Sequence, residues 1–107
     1  MPNDGLELIL RKEKSKRSRD QRAYYWAVII PAVKEFCGHT TNDETNEVLK
    51  QRFNPKPSKD FDGNPIMIGG SIEKENVAEV ERIYEEIRAF FAVEFNLIIP
   101  LPGEVEV

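Results

Sequence analysis

The apolar positions of this chain fall into three runs of helical spacing, separated by turn-forming stretches. Tyr25, Ile29, Ala32 and Phe36 recur at steps of three and four, and Trp26, Ile30 and Val33 form a second row beside them. Rows this wide predict a helix buried on more than half its girth. Ser18-Arg19-Asp20-Gln21, just ahead of them, has the spacing of a capping box, so the helix is expected to begin at Ser18. Pro31 lies inside the pattern, where it removes an amide and disfavours the helical conformation at Ile30. Because the apolar period continues through it, a kink rather than a stop is expected. Gly38 offers a left-handed end.

Thr41-Asn42-Asp43-Glu44 is a second capping box and predicts a shorter helix from about Asn42 to Arg52, with Val48, Leu49 and Phe53 as its apolar face. The stretch from Asn54 to Pro65 carries three prolines and a glycine, and regular structure is not expected there. Asp62-Gly63 is a turn signal leading into a short strand, Ile66–Ile68, with Phe61 placed on the opposite arm of a hairpin. Gly69-Gly70-Ser71 reads as a strand-to-helix turn, and Asn76 as the cap of the longest helix. That helix runs to about Phe95 on a stripe of Val77, Val80, Ile83, Tyr84, Ile87, Phe90, Phe91 and Phe95. Asn96 can take the left-handed stop. Upstream, Leu6–Leu10 alternates weakly and reads as a short strand, and 11–16 either extends it as a solvated arm or forms a loop.

Together these elements predict a single α+β domain over 1–107, with three helices packed on a small antiparallel sheet made from Leu6–Leu10 and Ile66–Ile68. So few strands suggest a sheet completed across a homodimer. Length fits this reading: 107 residues at 40% apolar fill one small core. No apolar run reaches the ~20 residues that span a bilayer. The polar start, Met1–Gly5, has no signal-peptide pattern. A cytoplasmic protein without membrane contact is therefore expected, and the single Cys37 excludes an internal disulfide.

Charge changes the picture more. The net charge is −4, yet Arg11, Lys12, Lys14, Lys16, Arg17, Arg19 and Arg22 face only Glu13 and Asp20 in their segment, a local balance of +5 that leaves −9 for the rest. The third helix carries acids on its outer face, Glu79, Glu81, Glu85 and Glu86. Catalytic chemistry finds little support in this composition. One histidine and one cysteine cannot build a Cys/His zinc site, and no cofactor motif is present. His39 and Cys37 sit at a helix end as ordinary loop and packing residues. Asp60 and Asp62 leave open a third class, a small metal-dependent nuclease.

The basic band is followed at once by Tyr24, Tyr25 and Trp26. Single-stranded nucleic acid is bound by this combination, cations along the backbone and aromatic faces under the bases. Lys14, Lys16, Arg17, Arg19 and Arg22 are the expected phosphate contacts. Tyr24 and Tyr25 are the expected stacking residues, more exposed than Trp26. Ser18 and Gln21 would set the helix start and present its free amides to the same phosphates. The competing expectation is a protein-interaction adaptor, docking a partner through the acidic third helix or the Ile98–Pro102 segment.

Arg17-Ser18-Arg19-Asp20-Gln21 followed by Tyr25-Trp26 resembles the Arg-Ser-x-x-Gln-Asn…Trp signature of the phage NinB (Orf) recombination-mediator family. Asp62-Gly63-Asn64, the strand Ile66–Gly69, Gly70-Ser71, the helix after Asn76 and its Asn-Leu-Ile-Ile-Pro close extend the similarity over most of the chain. Arg22 stands where that family usually has Asn, and Ile72 where a Thr commonly follows the Ser. The resemblance implies a homodimeric α+β protein that binds single-stranded DNA, contacts single-stranded DNA-binding protein and helps load a recombinase, without catalysis. It places Arg17, Ser18, Gln21, Trp26 and the Gly70-Ser71 turn at the family's positions.

Overall fold

Residue 17 is already helical in the computed structural model, which describes residues 17–104. Ser18 is therefore not the N-cap, contrary to the capping-box reading. The reason is tertiary. Gln21, which would have reached back along its own helix, donates instead to the Val77 carbonyl at 3.1 Å and to the Glu81 carboxylate at 2.8 Å. The expected strand Leu6–Leu10 lies outside the described residues, as do Lys14 and Lys16.

The first helix, α1, is α-helical over 17–24, π-helical over Tyr25–Ile29 and α-helical again over Ile30–Cys37. The π turn accommodates Pro31. Proline cannot donate back to Ala27, and widening the preceding turn keeps the Ile30 amide bonded, to the Tyr25 carbonyl. The widened turn also shifts the helical phase by one residue. As a result Tyr24 and Tyr25, and then Ile29 and Ile30, all point inward and are buried. Gly38 ends α1 in the left-handed region, φ 73°, as expected.

Helix α2 spans Asn42–Phe53 and α3 spans Val77–Phe95. Both begin at the predicted caps, with the Glu44 amide on Thr41 Oγ1 at 3.1 Å and the Glu79 amide on Asn76 Oδ1 at 2.9 Å. Asn96 stops α3 at φ 55°. The inner face of α2 differs from the predicted one. Thr45 and Leu49 are buried, while Val48 is exposed. From α3, Val80, Ile83, Tyr84, Ile87 and Phe91 enter the core, where they meet Ile29, Ile30 and Val33 of α1. Ile72 and Ile99 close it from the connecting segments. A 3₁₀ turn, Pro102–Glu104, follows.

Asn54–Pro65 is not irregular. Strand β1, Pro55–Lys59, pairs antiparallel with β2, Pro65–Gly69, so the sheet is a local hairpin. The prolines are tolerated through register parity. The Gly70 amide bonds the Asn54 carbonyl and the Asp60 amide bonds the Asn64 carbonyl, so hydrogen-bonded pairs fall on the even positions of β1. Pro55, Pro57 and Pro65 all occupy the alternate positions, where an amide would point out of the ladder. Asp60 Oδ1 accepts the amides of Asp62 and Asn64, and Gly63 at φ 83° closes the turn. Phe61 stands fully exposed at the tip rather than on the opposite arm.

No described helix is long and apolar enough to cross a membrane. The hairpin is fastened to α2 at Gly69, where an added Cβ would lie 2.8 Å from Lys50 Cβ and from the Gln51 backbone nitrogen. Gly69→Ala is expected to lower stability by about 1–3 kcal/mol in urea denaturation, because backbone must move. Gly103→Ala, which meets open space, serves as the control. Equal midpoints for the two variants would contradict the close approach of β2 to α2.

Candidate nucleic-acid interface

The structure divides the expected site residues between two edges of α1. Arg17, Gln21 and Tyr24, spaced by four and three, line a cleft of about 160 Å³ with Asp20, Glu81, Tyr84 and Pro102. This edge faces α3 and the C-terminal segment. Gln21 is nearly buried and committed to Val77 and Glu81. Ser18 lies half-buried in the first described turn.

Arg19 and Arg22 stand on the other edge, and Trp26 continues their line one turn further on. Arg19 and Arg22 are exposed, and Trp26 is half-buried against the core. Between them lies Glu73, from the turn that links β2 to α3. Its Oε2 accepts the Trp26 indole N–H at 2.9 Å and lies 3.1 Å from Arg22 Nε in an ion pair. Two residues on, Glu75 Oε2 meets Lys56 Nζ of β1 at 3.0 Å and Asn54 Nδ2 at 3.0 Å. The turn is pinned by Ile72, which is buried. Asn54 and then Lys56 hold the Glu75 carboxyl below its usual range.

Tyr24 and Tyr25 are not stacking platforms. They are 1% and 0% exposed. Tyr25 stacks on Tyr84 at 5.4 Å with an interplanar angle of 5°, and Tyr24 meets Tyr84 at 5.7 Å. All three hydroxyls donate within the fold. Tyr24 bonds the Pro100 carbonyl at 2.6 Å, Tyr25 bonds Asn46 Oδ1 at 2.7 Å, and Tyr84 bonds the Gln21 carbonyl at 3.0 Å. The cause is again the π turn, which buries two consecutive rings and leaves Trp26 at the boundary. The expected order of exposure is reversed. Trp26 is the residue that reasoning from helical spacing misplaced, and Pro31 was the signal that could have found it.

The remaining candidates recede. Cys37 is exposed rather than packed. His39 Nδ1 pairs with Thr45 Oγ1 at 2.8 Å, a structural contact at the end of α1. The Asp60 carboxylate is engaged by the amides of its own turn, which hold its carboxyl below the usual range. Among the described residues no group of three or more His, Cys, Asp or Glu is placed to hold a metal ion. No family model, curated protein or solved structure matches this chain.

Burial pushes the phenols of Tyr25 and Tyr84 well above their ordinary value, and nearby Glu73 adds to both. Burial raises Tyr24 as well, with Arg88 pulling against it. The folded state therefore favours the neutral phenols. Their contribution to stability is complete below the unfolded pKa of about 10 and falls as pH rises above it. Tyrosinate absorbance followed between neutral pH and pH 12 should appear together with loss of helical circular dichroism. Early, reversible ionisation of all three tyrosines in a still-folded protein would contradict this packing.

Proposed function

We propose that this chain binds single-stranded DNA as a non-catalytic accessory protein of homologous recombination, in the manner its NinB-like motifs imply. The observation that carries the reading is the row Arg19, Arg22 and Trp26 on one edge of α1, in a chain whose cations are concentrated in 11–22 while the whole is anionic. Phosphates would lie along the two arginines and the preceding Lys14 and Lys16. A base would stack on the exposed part of Trp26. Arg17 joins from the neighbouring edge. Gln21 serves the fold by bonding α3, Tyr24 and Tyr25 leave the site, and Ser18 stands between Arg17 and Arg19 in the first described turn. The anionic remainder confines a polyanion to this side. A homodimer, contact with single-stranded DNA-binding protein or a recombinase, and residence in the host-cell cytoplasm belong to the same proposal.

A second reading has its own support. Phe36, Val93, Phe95 and Ile98 are exposed, and the Phe36 and Phe95 rings lie 5.1 Å apart at the far end of α1 and α3. Exposed apolar side chains at this end suit a protein partner, as the adaptor alternative requires. The two readings use opposite ends of the molecule and are separable.

The test is fluorescence anisotropy with labelled single-stranded DNA, single-stranded RNA and duplex DNA over a range of salt. Arg19→Ala with Arg22→Ala should weaken single-strand binding and reduce the salt slope by about 1.4, from about 0.7 for each phosphate contact. Unchanged affinity and slope would leave the adaptor reading. Tighter binding to RNA than to DNA would move the substrate to RNA at the same edge.

A further inference from the structure

The Ile72–Glu75 turn places two carboxylates on two cations that come from different parts of the fold. Glu73 holds Arg22 of α1, and Glu75 holds Lys56 of β1. The Arg22 and Lys56 side chains remain 58% and 48% exposed, whereas the carboxylates are 24% and 25% exposed. The acids are thus the better fixed partners, set by the buried Ile72 and by extra bonds from Trp26 and Asn54. Glu73 Oε2 lies 3.1 Å from Arg22 Nε, and the same oxygen accepts the Trp26 indole N–H. An ion pair to a guanidinium this exposed is weak and screened by salt, so it is easily exchanged for another oxyanion.

We infer that Glu73 and Glu75 form a carboxylate clasp over the nucleic-acid site, which the phosphates of a single strand displace from Arg22 and Lys56. The inference rests on the binding reading above and adds Lys56 and both acids to it. Carboxylate and phosphodiester oxygens offer the same chemistry to a guanidinium or an ammonium. A polynucleotide has the advantage of several linked phosphates and of counterion release. One isolated anion has neither advantage, so the clasp biases the site towards polymers over free phosphate or mononucleotides. Glu73 also fixes the plane of Trp26 before binding. When Glu73 is displaced, the only tryptophan in the chain loses its indole partner, which gives the exchange a spectroscopic signature.

The test compares Glu73→Gln with Glu94→Gln, an equal change of charge at the opposite end of α3. Each is titrated with fluorescein-labelled oligothymidylate at low and high salt, and Trp26 emission is recorded throughout. Gln keeps an acceptor for the indole N–H but removes the charge from Arg22. Glu73→Gln should bind about two- to fivefold more tightly than Glu94→Gln at low salt, the range set by the strength of an exposed ion pair. The gain should shrink at high salt and vanish when Arg22→Ala is added. Equal affinities for the two variants would overturn the clasp while leaving the binding reading intact. Weaker binding by Glu73→Gln would also overturn it, making Glu73 a positioning residue for Trp26. Absence of binding by the unmodified chain and by both variants would overturn the binding reading, and the clasp with it.

Discussion

The stack of Tyr25 on Tyr84 joins α1 to α3, and most of the molecule is arranged around it. Beside it the neighbouring Tyr24 also faces inward and meets Tyr84, so two consecutive rings of α1 are buried. Pro31 follows in the same helix. Its missing amide is accommodated by a π turn over Tyr25–Ile29, and the extra residue in that turn swings both rings into the core. Once buried, the phenols must find acceptors. They reach Pro100, Asn46 and Gln21, and so tie the C-terminal segment, α2 and α1 to one cluster.

The same phase shift orders the surface. With Tyr24 and Tyr25 inside, Trp26 comes to the edge of the core, in line with Arg19 and Arg22. The acidic turn after β2 then meets that edge through Glu73. Arg17 and Gln21 fall on the neighbouring edge, beside Glu81 and the C-terminal segment. The described cations of the basic band therefore lie on two edges, Arg17 beside the cleft and Arg19 with Arg22 on the side where the partly buried Trp26 reaches the surface.

Features that depend on a few neighbouring residues were legible in the sequence. The caps at Thr41 and Asn76 and the left-handed stops at Gly38 and Asn96 needed no tertiary information, because backbone amides and φ angles decide them locally. The α+β class followed from three helical runs and one Asp-Gly turn. Strand β1 was not legible from its prolines counted as breakers. Their spacing holds the missing signal, since Pro55 and Pro57 share one parity and Pro65 pairs with Lys59 in the same phase across the turn. The exposure of Trp26 was hidden for a related reason. A period of 3.6 residues carried through Pro31 puts Trp26 in a buried row with Ile30 and Val33 and leaves Tyr24 off it. Ser18 and Gln21 matched a capping box, yet Gln21 found stronger partners on α3.

The account stands on the open edge of α1 being the surface that meets a single strand. The most direct measurement is a two-dimensional proton–nitrogen NMR titration of the full chain with oligothymidylate. The single Trp26 indole cross-peak and the Arg22 Nε–H cross-peak should shift together as oligonucleotide is added, while the aromatic ring signals of Tyr25 and Tyr84 hold their positions. Shifts confined to the hairpin tip at Phe61 or to the Phe36–Phe95 end, with the Trp26 indole unmoved, would contradict it.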